Sequence, residues 1–415
     1  RMLFKWLIQL DLRTTAITIP SPADVPRLEG QMRQRMIEDL RAITLLFAAN
    51  APEEAKTYLA AAAKENDYHK VKEIRSFSSA LAKVAPAEFA ALIVASLIER
   101  PRKGRSRRDS TGRVLSFADT DYMPPSPAQP PFLDLLDVDP EIGLALIRKL
   151  VAAVVDGHAE GKTTQTNGYT IIFDGKRRFF PWVQTYFWTR GQAREYSAAS
   201  GLMALEAWSQ ERLDKGEDIQ AVLRDILGPE GSCAAYLMIA VDVLLSHWPA
   251  TRDALVSFMA NPDLLANDRV RSRHEVLGLM LFGQKEPNGR IKLGDLAKRL
   301  SRQITLEQLV PHYLADDEAG CDLRALLKSA VDALEPFGDD SSFSDPAFMG
   351  TYVLNRLDIA NWVQVEGGRG YKSPPAEADH LARLEARRQV LVHSSNTEAK
   401  IQLATNDPAK GSAEV

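Results

Sequence analysis

The 415-residue chain is long enough for two or three domains or for one extended repeat structure. Its formal net charge of −4 argues against a nucleic-acid surface along the whole chain but leaves local basic patches open. Its two cysteines, Cys233 and Cys321, exclude a disulfide scaffold and a cysteine-rich zinc site, and they favour a reducing cytoplasm. The strongest apolar run, residues 233–245, is too short to span a bilayer and contains Asp242, so it predicts a buried helix rather than a membrane contact.

The two ends of the chain indicate a piece of a larger protein. The chain begins at Arg1, inside an apolar pattern, and closes at Val415, in a polar stretch that has no helix terminator. The apolar stretch at residues 3–12 carries Lys5 and Asp11 and is followed by no small-residue cleavage site, so it does not predict a signal peptide.

Helical periodicity dominates the chain. In the segment 35–49, apolar residues recur at spacings of three and four, which predicts a helix with one apolar face. These residues are Met36, Leu40, Ile43, Leu46 and Phe47. A further helix begins at Pro140, after the capping residue Asp139. The other predicted helices are 52–64, 71–84, 86–98, 195–213, 219–227, 232–247, 248–259, 293–300, 306–314, 322–334, 346–357 and 374–392.

One segment interrupts this periodicity. Residues 100–113 form a basic run, and residues 123–132 contain five prolines, which cannot propagate a helix. We therefore divide the chain into four parts. They are N-terminal helical repeats at 1–99, a basic and proline-rich linker or loop at 100–138, central helical repeats at 139–335 and a C-terminal helical segment at 336–415.

The stretch YTIIFDGKRRFFPWVQTYFW, residues 169–188, predicts a β-hairpin followed by an aromatic segment. Asp174 and Gly175 form the preferred two-residue turn, because both central positions need positive φ. The strands would be about 169–173 and 176–180, and both faces would be part apolar and part cationic. One face holds Tyr169, Ile171, Phe173, Lys176, Arg178 and Phe180, and the other holds Thr170, Ile172, Arg177 and Phe179. Because a lone hairpin is marginal in water, we expect at least one face to dock on helices. WVQVEGGRGY, residues 362–371, alternates in the same way and predicts a second small hairpin.

The aromatic segment and the basic run are the two candidate contact sites. We interpret the first as a structural insertion with a role in protein contact, through Phe179, Phe180, Trp182, Tyr186 and Trp188. Stacking of nucleobases on these rings, beside Arg177, Arg178 and Arg190, is the alternative. The basic run is the candidate for nucleic-acid contact, through Arg102, Lys103, Arg105, Arg107 and Arg108. The alternative interpretation is a solvated linker without a binding role.

No motif in the sequence predicts a catalytic, cofactor-binding or metal-binding residue. The stretch Gly157–Thr163 resembles a phosphate-binding loop, but it is one residue short and follows a helix instead of a strand. None of the seven histidines pairs with another histidine or a cysteine at metal-ligand spacing. No Gly-x-Ser-x-Gly motif occurs. We therefore predict that this chain is not an enzyme and holds no cofactor.

One stretch carries a resemblance to a repeat family. In LLANDRVRSRHEVLGL, residues 264–279, Asp268, Val270 and Arg271 resemble the second half of a HEAT repeat. The resemblance implies that Asp268 lies in a short loop, that Arg271 reaches back along the stack, and that Val276, Leu277 and Leu279 face the core. We accordingly expect a mainly α fold, an α-solenoid of HEAT-like helix pairs with a β-hairpin insertion.

Two further stretches, residues 204–216 and 225–249, resemble the middle of very large bacterial ATP-binding proteins, the STAND-type NTPases of antiphage defence. In such proteins a nucleotide-binding module is joined to a long helical sensor. The resemblance implies a cytoplasmic, non-catalytic scaffold or sensor segment whose partner is a protein or a neighbouring domain of a larger chain. A nucleic-acid-binding helical module that uses residues 100–113 is the alternative function.

Overall fold

A computed structural model describes residues 1–12, 30–98, 113–159, 167–190, 193–277, 285–314, 317–366 and 368–406. Over these residues the protein is mainly helical and contains two small antiparallel hairpins. The first eight helices are α1 (Met2–Asp11), α2 (Gly30–Leu46), α3 (Pro52–Glu65), α4 (Tyr68–Arg75), α5 (Ser78–Val84), α6 (Pro86–Leu97), α7 (Phe132–Val138) and α8 (Pro140–Ala159). The hairpins are β1 (Gly168–Phe173) with β2 (Lys176–Pro181), and β3 (Trp362–Val365) with β4 (Gly368–Tyr371).

The remaining helices follow the first hairpin. They are α9 (Tyr196–Asp214), α10 (Ile219–Leu227), α11 (Ala235–Ser246), α12 (Arg252–Met259), α13 (Pro262–Leu277), α14 (Leu293–Leu296), α15 (Glu318–Asp332), α16 (Pro346–Leu357) and α17 (Pro375–Asn406). Short 3₁₀ helices connect several of them, the longest at Leu306–Tyr313. Both α10 and α16 have the bounds predicted from the sequence, because an aspartate caps each of them. The carboxylate of Asp218 accepts a hydrogen bond from the amide of Ala221, and that of Asp345 accepts one from Ala347.

The following two are among the local predictions that differ from the structure. The predicted helix at 71–84 is broken into α4 and α5, because the amide of Ser76 turns back to the carbonyls of Glu73 and Ile74. The range 100–138, interpreted as a linker or loop, contains a 3₁₀ helix at Phe117–Tyr122 and the helix α7. Residues 100–112 of that range lie outside the described part of the chain.

Asp119, in the 3₁₀ helix at Phe117–Tyr122, fixes the start of α9. Its fully buried carboxylate accepts hydrogen bonds from the amides of Tyr196 and Ser197, both at 2.8 Å, and from the Ser197 hydroxyl. Burial raises the pKa of Asp119, and these hydrogen bonds oppose the rise without cancelling it. The amino terminus of α9 thus receives the acceptor that helix ends require.

The described residues divide into two compact units. The first contains Arg1–Thr170, Lys176–Ala254 and His274–Gln303, and the second contains Ile171–Gly175, Leu255–Arg273 and Ile304–Val415. The core of the first unit lies around α9 and α11, which pack together and are buried continuously over residues 197–210 and 235–245. The helices α7, α8 and α10 pack against α9.

In the second unit, α15 and α16 pack against each other and against the 3₁₀ helix at 306–313. Fully buried Arg271 donates hydrogen bonds to the carboxylate of Asp268 at 2.6 Å and to the carbonyl of Ile304 at 2.8 Å. Asp268 lies inside the continuous helix α13, whereas the HEAT resemblance places it in a loop. Leu279 lies outside the described residues, so its expected core position is untested.

The helix α17 is anchored by its first two turns. Glu377 accepts hydrogen bonds from the side chains of Asn355 and Tyr371, and the imidazole of His380 contacts the carbonyl of Ser341. From Glu385 to Ser394, every side chain whose burial is described is exposed. The helix then continues to Asn406.

Candidate functional site: the exposed face of helix α2

The aromatic segment that the sequence singles out is mostly interior. Phe180, Tyr186 and Trp188 are buried, and Trp182 is partly exposed. Phe179 is 41% exposed and is the most accessible ring of the five. On β1 burial alternates, with Tyr169, Ile171 and Phe173 buried and Ile172 exposed. On β2 it does not, because Lys176, which the sequence pattern places on the face of buried Phe180, is exposed together with Arg177 and Phe179.

Contacts within the first unit explain why this segment is buried. The rings of Tyr169 and Tyr186 lie 5.5 Å apart. Arg178 lies over the ring of Phe180 and donates a hydrogen bond to the carbonyl of Gly228 at 2.8 Å. The carbonyl of Pro181 accepts a hydrogen bond from the amide of Ala234 at 2.9 Å. These contacts attach β2 to the connection between α10 and α11 and use the arginine for packing rather than for an external ligand.

The five candidate residues of the basic run, Arg102, Lys103, Arg105, Arg107 and Arg108, lie outside the described residues. Arg113, at the end of the run, is described. Its guanidinium lies 4.4 Å from the centre of the Tyr196 ring and 3.7 Å from the carboxylate of Asp119. This arginine therefore neutralises a buried acid of the protein itself.

Four of the charges buried in the first unit, from two arginines and two acids, form an internal quartet. Arg190 donates two hydrogen bonds to the carboxylate of Asp242, at 2.9 and 2.8 Å. Arg302 donates to Glu206 at 2.6 Å and to Asp242 at 3.3 Å. The two positive charges balance the two negative ones, so the quartet is neutral as a whole. Among the residues that the structure describes, no group of three or more histidine, cysteine, aspartate or glutamate side chains has an arrangement that could hold a metal ion.

The helix α2 has the opposite character, because it presents its apolar face to solvent. Large apolar side chains on one side of this helix, and on the turn residue that follows it, are 42–61% exposed. They are Met32, Met36, Ile43, Leu46 and Phe47. At 100° per residue these five positions fall within about 100° of the helix circumference, so they form one stripe. We call these five residues the α2 stripe.

The other side of α2 packs inward around a charged residue. Ile37, Arg41, Thr44 and Leu45 are buried on that side, and the arginine is only 3% exposed. Arg41 forms a bidentate ion pair with Asp11 of α1, at 3.0 and 2.7 Å, and a further ion pair with Glu73 of α4. Because a paired buried arginine cannot leave its partners cheaply, these contacts hold the helix with its apolar stripe outward.

Asp11 is the central charge in the ion pairs that hold α2. Burial alone would raise the pKa of its carboxyl, but hydrogen bonds from Arg41 and Tyr58 and the charge of Lys70 outweigh burial and lower it. Burial and the charge of Asp11 raise the pKa of Tyr58 well above its usual range. Asp11 is therefore the ionised acceptor, and the tyrosine hydroxyl and the arginine are its donors.

Sequence reasoning alone missed the α2 stripe as a surface. The periodic pattern in 35–49 includes four of its five residues, but apolar periodicity normally indicates the core side of a helix. The one signal in the sequence is Arg41, a charged residue on the face opposite the stripe. Its acidic partner lies 30 residues away. No local pattern reveals such a pairing.

Comparisons with known proteins give no assignment. No family model matches the chain, and no curated protein matches it. None of the helices in the described ranges has the length and apolar character needed to cross a bilayer.

Proposed function

We propose that this chain is a non-catalytic helical segment that recognises a protein, and that the α2 stripe is its contact surface. The observation that carries the proposal is the orientation of α2, which buries an ion-paired arginine and exposes five large apolar side chains. Contiguous exposed apolar surface commonly marks a site of protein interaction. The two methionines of the stripe suit such a surface, because their flexible side chains adapt to a partner.

We further propose that the chain as a whole is a helical repeat scaffold. The predominance of helix supports an α-solenoid. Arg271 pairs with Asp268 within the same helix, and the position of Asp268 inside α13 departs from the HEAT resemblance. The resemblance to STAND-type NTPases suggests that the segment serves as sensor or scaffold within a larger bacterial defence protein. In that setting the α2 stripe would contact either a separate protein or another domain of the same protein.

An affinity comparison tests the contact surface. The double variant Met36→Lys, Ile43→Lys places two charges in the stripe, and Val390→Lys, Val392→Lys places the same charges on exposed valines of α17. Exposed substitutions of this kind usually change the free energy of unfolding by less than about 0.5 kcal/mol. We expect quantitative mass spectrometry to identify at least one protein that is bound by the wild-type chain and by the α17 variant. The α2 variant should not bind that protein. Identical sets of bound proteins for all three chains would refute the proposal.

Nucleic-acid binding is the second candidate function, and one observation favours it. Phe117, four residues after the basic run, is 72% exposed, and its ring lies 5.6 Å from that of Tyr68. Exposed aromatic rings beside positive charge provide a stacking surface for bases. If this function holds, affinity for single-stranded nucleic acid should fall steeply with salt concentration and should be lost in the triple variant Arg105→Ala, Arg107→Ala, Arg108→Ala. Equal binding by the triple variant and wild type would exclude the basic run.

A further inference from the structure

Four residues of the α2 stripe, together with exposed Asp39, have the spacing of a helix–helix seam. Met32, Met36, Asp39, Ile43 and Leu46 follow one another at intervals of four, three, four and three residues, and all five are exposed. This is the alternation of a and d positions at which one helix packs along another. The stripe therefore has the periodicity that favours a helical partner over an irregular loop.

The central position of this seam is occupied by a charge. Asp39 lies between Met36 and Ile43, and it forms no hydrogen bond or ion pair with any residue that the structure describes. When a partner covers the seam, this carboxylate loses water, and the loss is unfavourable unless a positive charge replaces the water. Arg35, which is exposed beside the seam, adds a positive charge at its edge.

From this arrangement, and resting on the proposed function, we infer that the α2 stripe binds an amphipathic helix of another protein segment. That helix carries apolar residues at seam spacing, a lysine or arginine opposite Asp39, and acidic residues at the edge that meets Arg35. The apolar residues provide most of the buried area, and the ion pair fixes the register of the two helices.

The same charge argues against a second copy of α2 as the partner. Asp39 is the third of the five seam positions. Symmetric pairing of two α2 helices therefore brings the two Asp39 side chains together at the centre, whether the helices run parallel or antiparallel. Two carboxylates that face each other in a desolvated seam repel, so self-pairing is disfavoured.

Two synthetic peptides test the inference with the full chain. Both are amphipathic helices of about four heptads, with leucine and isoleucine at the seam positions and glutamates at the edges. They differ only at one central seam position, which is lysine in one peptide and aspartate in the other. We expect fluorescence anisotropy to show that the lysine peptide binds about tenfold more tightly or better.

Variants of Asp39 and a matched control complete the test. Asp39→Lys should reverse the preference between the peptides, and Asp39→Asn should abolish it. Asp253→Lys, which changes an exposed acid of α12, should leave the preference as it is in wild type. Circular dichroism of each variant should match wild type, because Asp39 forms no hydrogen bond or ion pair within the described part of the chain.

Failure of the helix inference and failure of the proposed function give different results. Equal affinity of the two peptides, no binding of either, or an unchanged preference in Asp39→Lys would overturn the helix inference. The α2 stripe would still stand as a protein contact if its lysine double variant loses a bound protein. Self-association that Ile43→Lys abolishes, measured by sedimentation, would also overturn the inference in favour of a second copy.

Discussion

At the scale of single residues, the protein depends on charges that are buried together with their partners. The Asp11–Arg41 pair is the clearest case, since both side chains are at most 5% exposed. Lys70 adds a hydrogen bond to the backbone carbonyl of Asp11 at 2.6 Å and an ion pair with Glu65 at the same distance. Removal of one partner leaves an uncompensated buried charge, which is more costly than the pair is stabilising.

The substitution Asp11→Asn should therefore lower the free energy of unfolding at pH 7 by about 3 kcal/mol. The lowered pKa of Asp11 also fixes the direction of its pH dependence. Because the unfolded chain binds this proton more tightly, the contribution is present above the unfolded pKa of about 4 and is lost as the pH falls through the lower folded pKa.

Urea unfolding followed by circular dichroism between pH 7 and pH 2 checks both points. The variant should lose less stability than wild type over the acidic part of this range. Glu53→Gln, which changes an exposed ion pair with Lys56, serves as the control and should follow the wild-type curve. An Asp11→Asn curve parallel to that of wild type would contradict the assignment.

At the scale of elements, the first hairpin shows how local chemistry fixes a turn. Asp174 and Gly175 have φ values of 50° and 70°, which confirms the turn that the sequence predicts. A Cβ on Gly175 would meet no atom within 4 Å. The demand for glycine at this position therefore comes from the backbone conformation and not from crowding.

The substitution Gly175→Ala should consequently lower the free energy of unfolding by about 1 kcal/mol. Gly294→Ala is the matched control, because its added Cβ also meets nothing within 4 Å and its φ is not in the left-handed region. We expect the control to stay within about 0.5 kcal/mol of wild type in thermal unfolding. Equal effects of the two substitutions would show that backbone strain at the turn is not the cause.

At the scale of the whole molecule, the quartet of Arg190, Glu206, Asp242 and Arg302 joins distant parts of the chain inside the first unit. Asp242 meets its arginines 52 and 60 residues away in sequence. Glu206 and Asp242 belong to the buried stretches of helices α9 and α11, and the arginines belong to 3₁₀ segments beside them. The quartet therefore specifies which segments meet in the core.

Breaking this quartet should be strongly destabilising. Asp242→Leu leaves two buried arginines with one acid, and we expect a loss of about 3–5 kcal/mol in the free energy of unfolding. The quadruple variant Arg190→Met, Glu206→Leu, Asp242→Leu, Arg302→Met removes every charge and should recover most of that loss. Urea unfolding midpoints give the comparison, and a quadruple variant no more stable than the single one would contradict the view that unpaired charge is the cost.

The sequence predicts the features of the fold that depend on neighbouring residues, but not those that depend on tertiary contacts. The bounds of α10 and α16 and both hairpins follow from short-range rules, because caps, the Asp-Gly turn and apolar periodicity act within a few residues. The outward orientation of the apolar face of α2 does not follow from these rules, because Arg41 is buried through an ion pair with an acid of another helix. The sequence marks Asp242 as a charge within an apolar run but cannot name its arginines. The aromatic segment is predicted as a docked insertion, whereas the α2 stripe emerges only with tertiary structure.

The length of α17 has a mechanical consequence. Its 32 residues rise by about 48 Å at 1.5 Å per residue. Its buried anchors Glu377 and His380 lie in the first two turns, and exposed ion pairs of Arg383 and Arg387 with Asp339 and Asp340 follow within the first thirteen residues. A helix held at one end acts as a lever, so a small tilt at the anchor sweeps the far end through a much larger arc. A small rotation near Tyr371 is therefore delivered near Asn406 as a larger displacement.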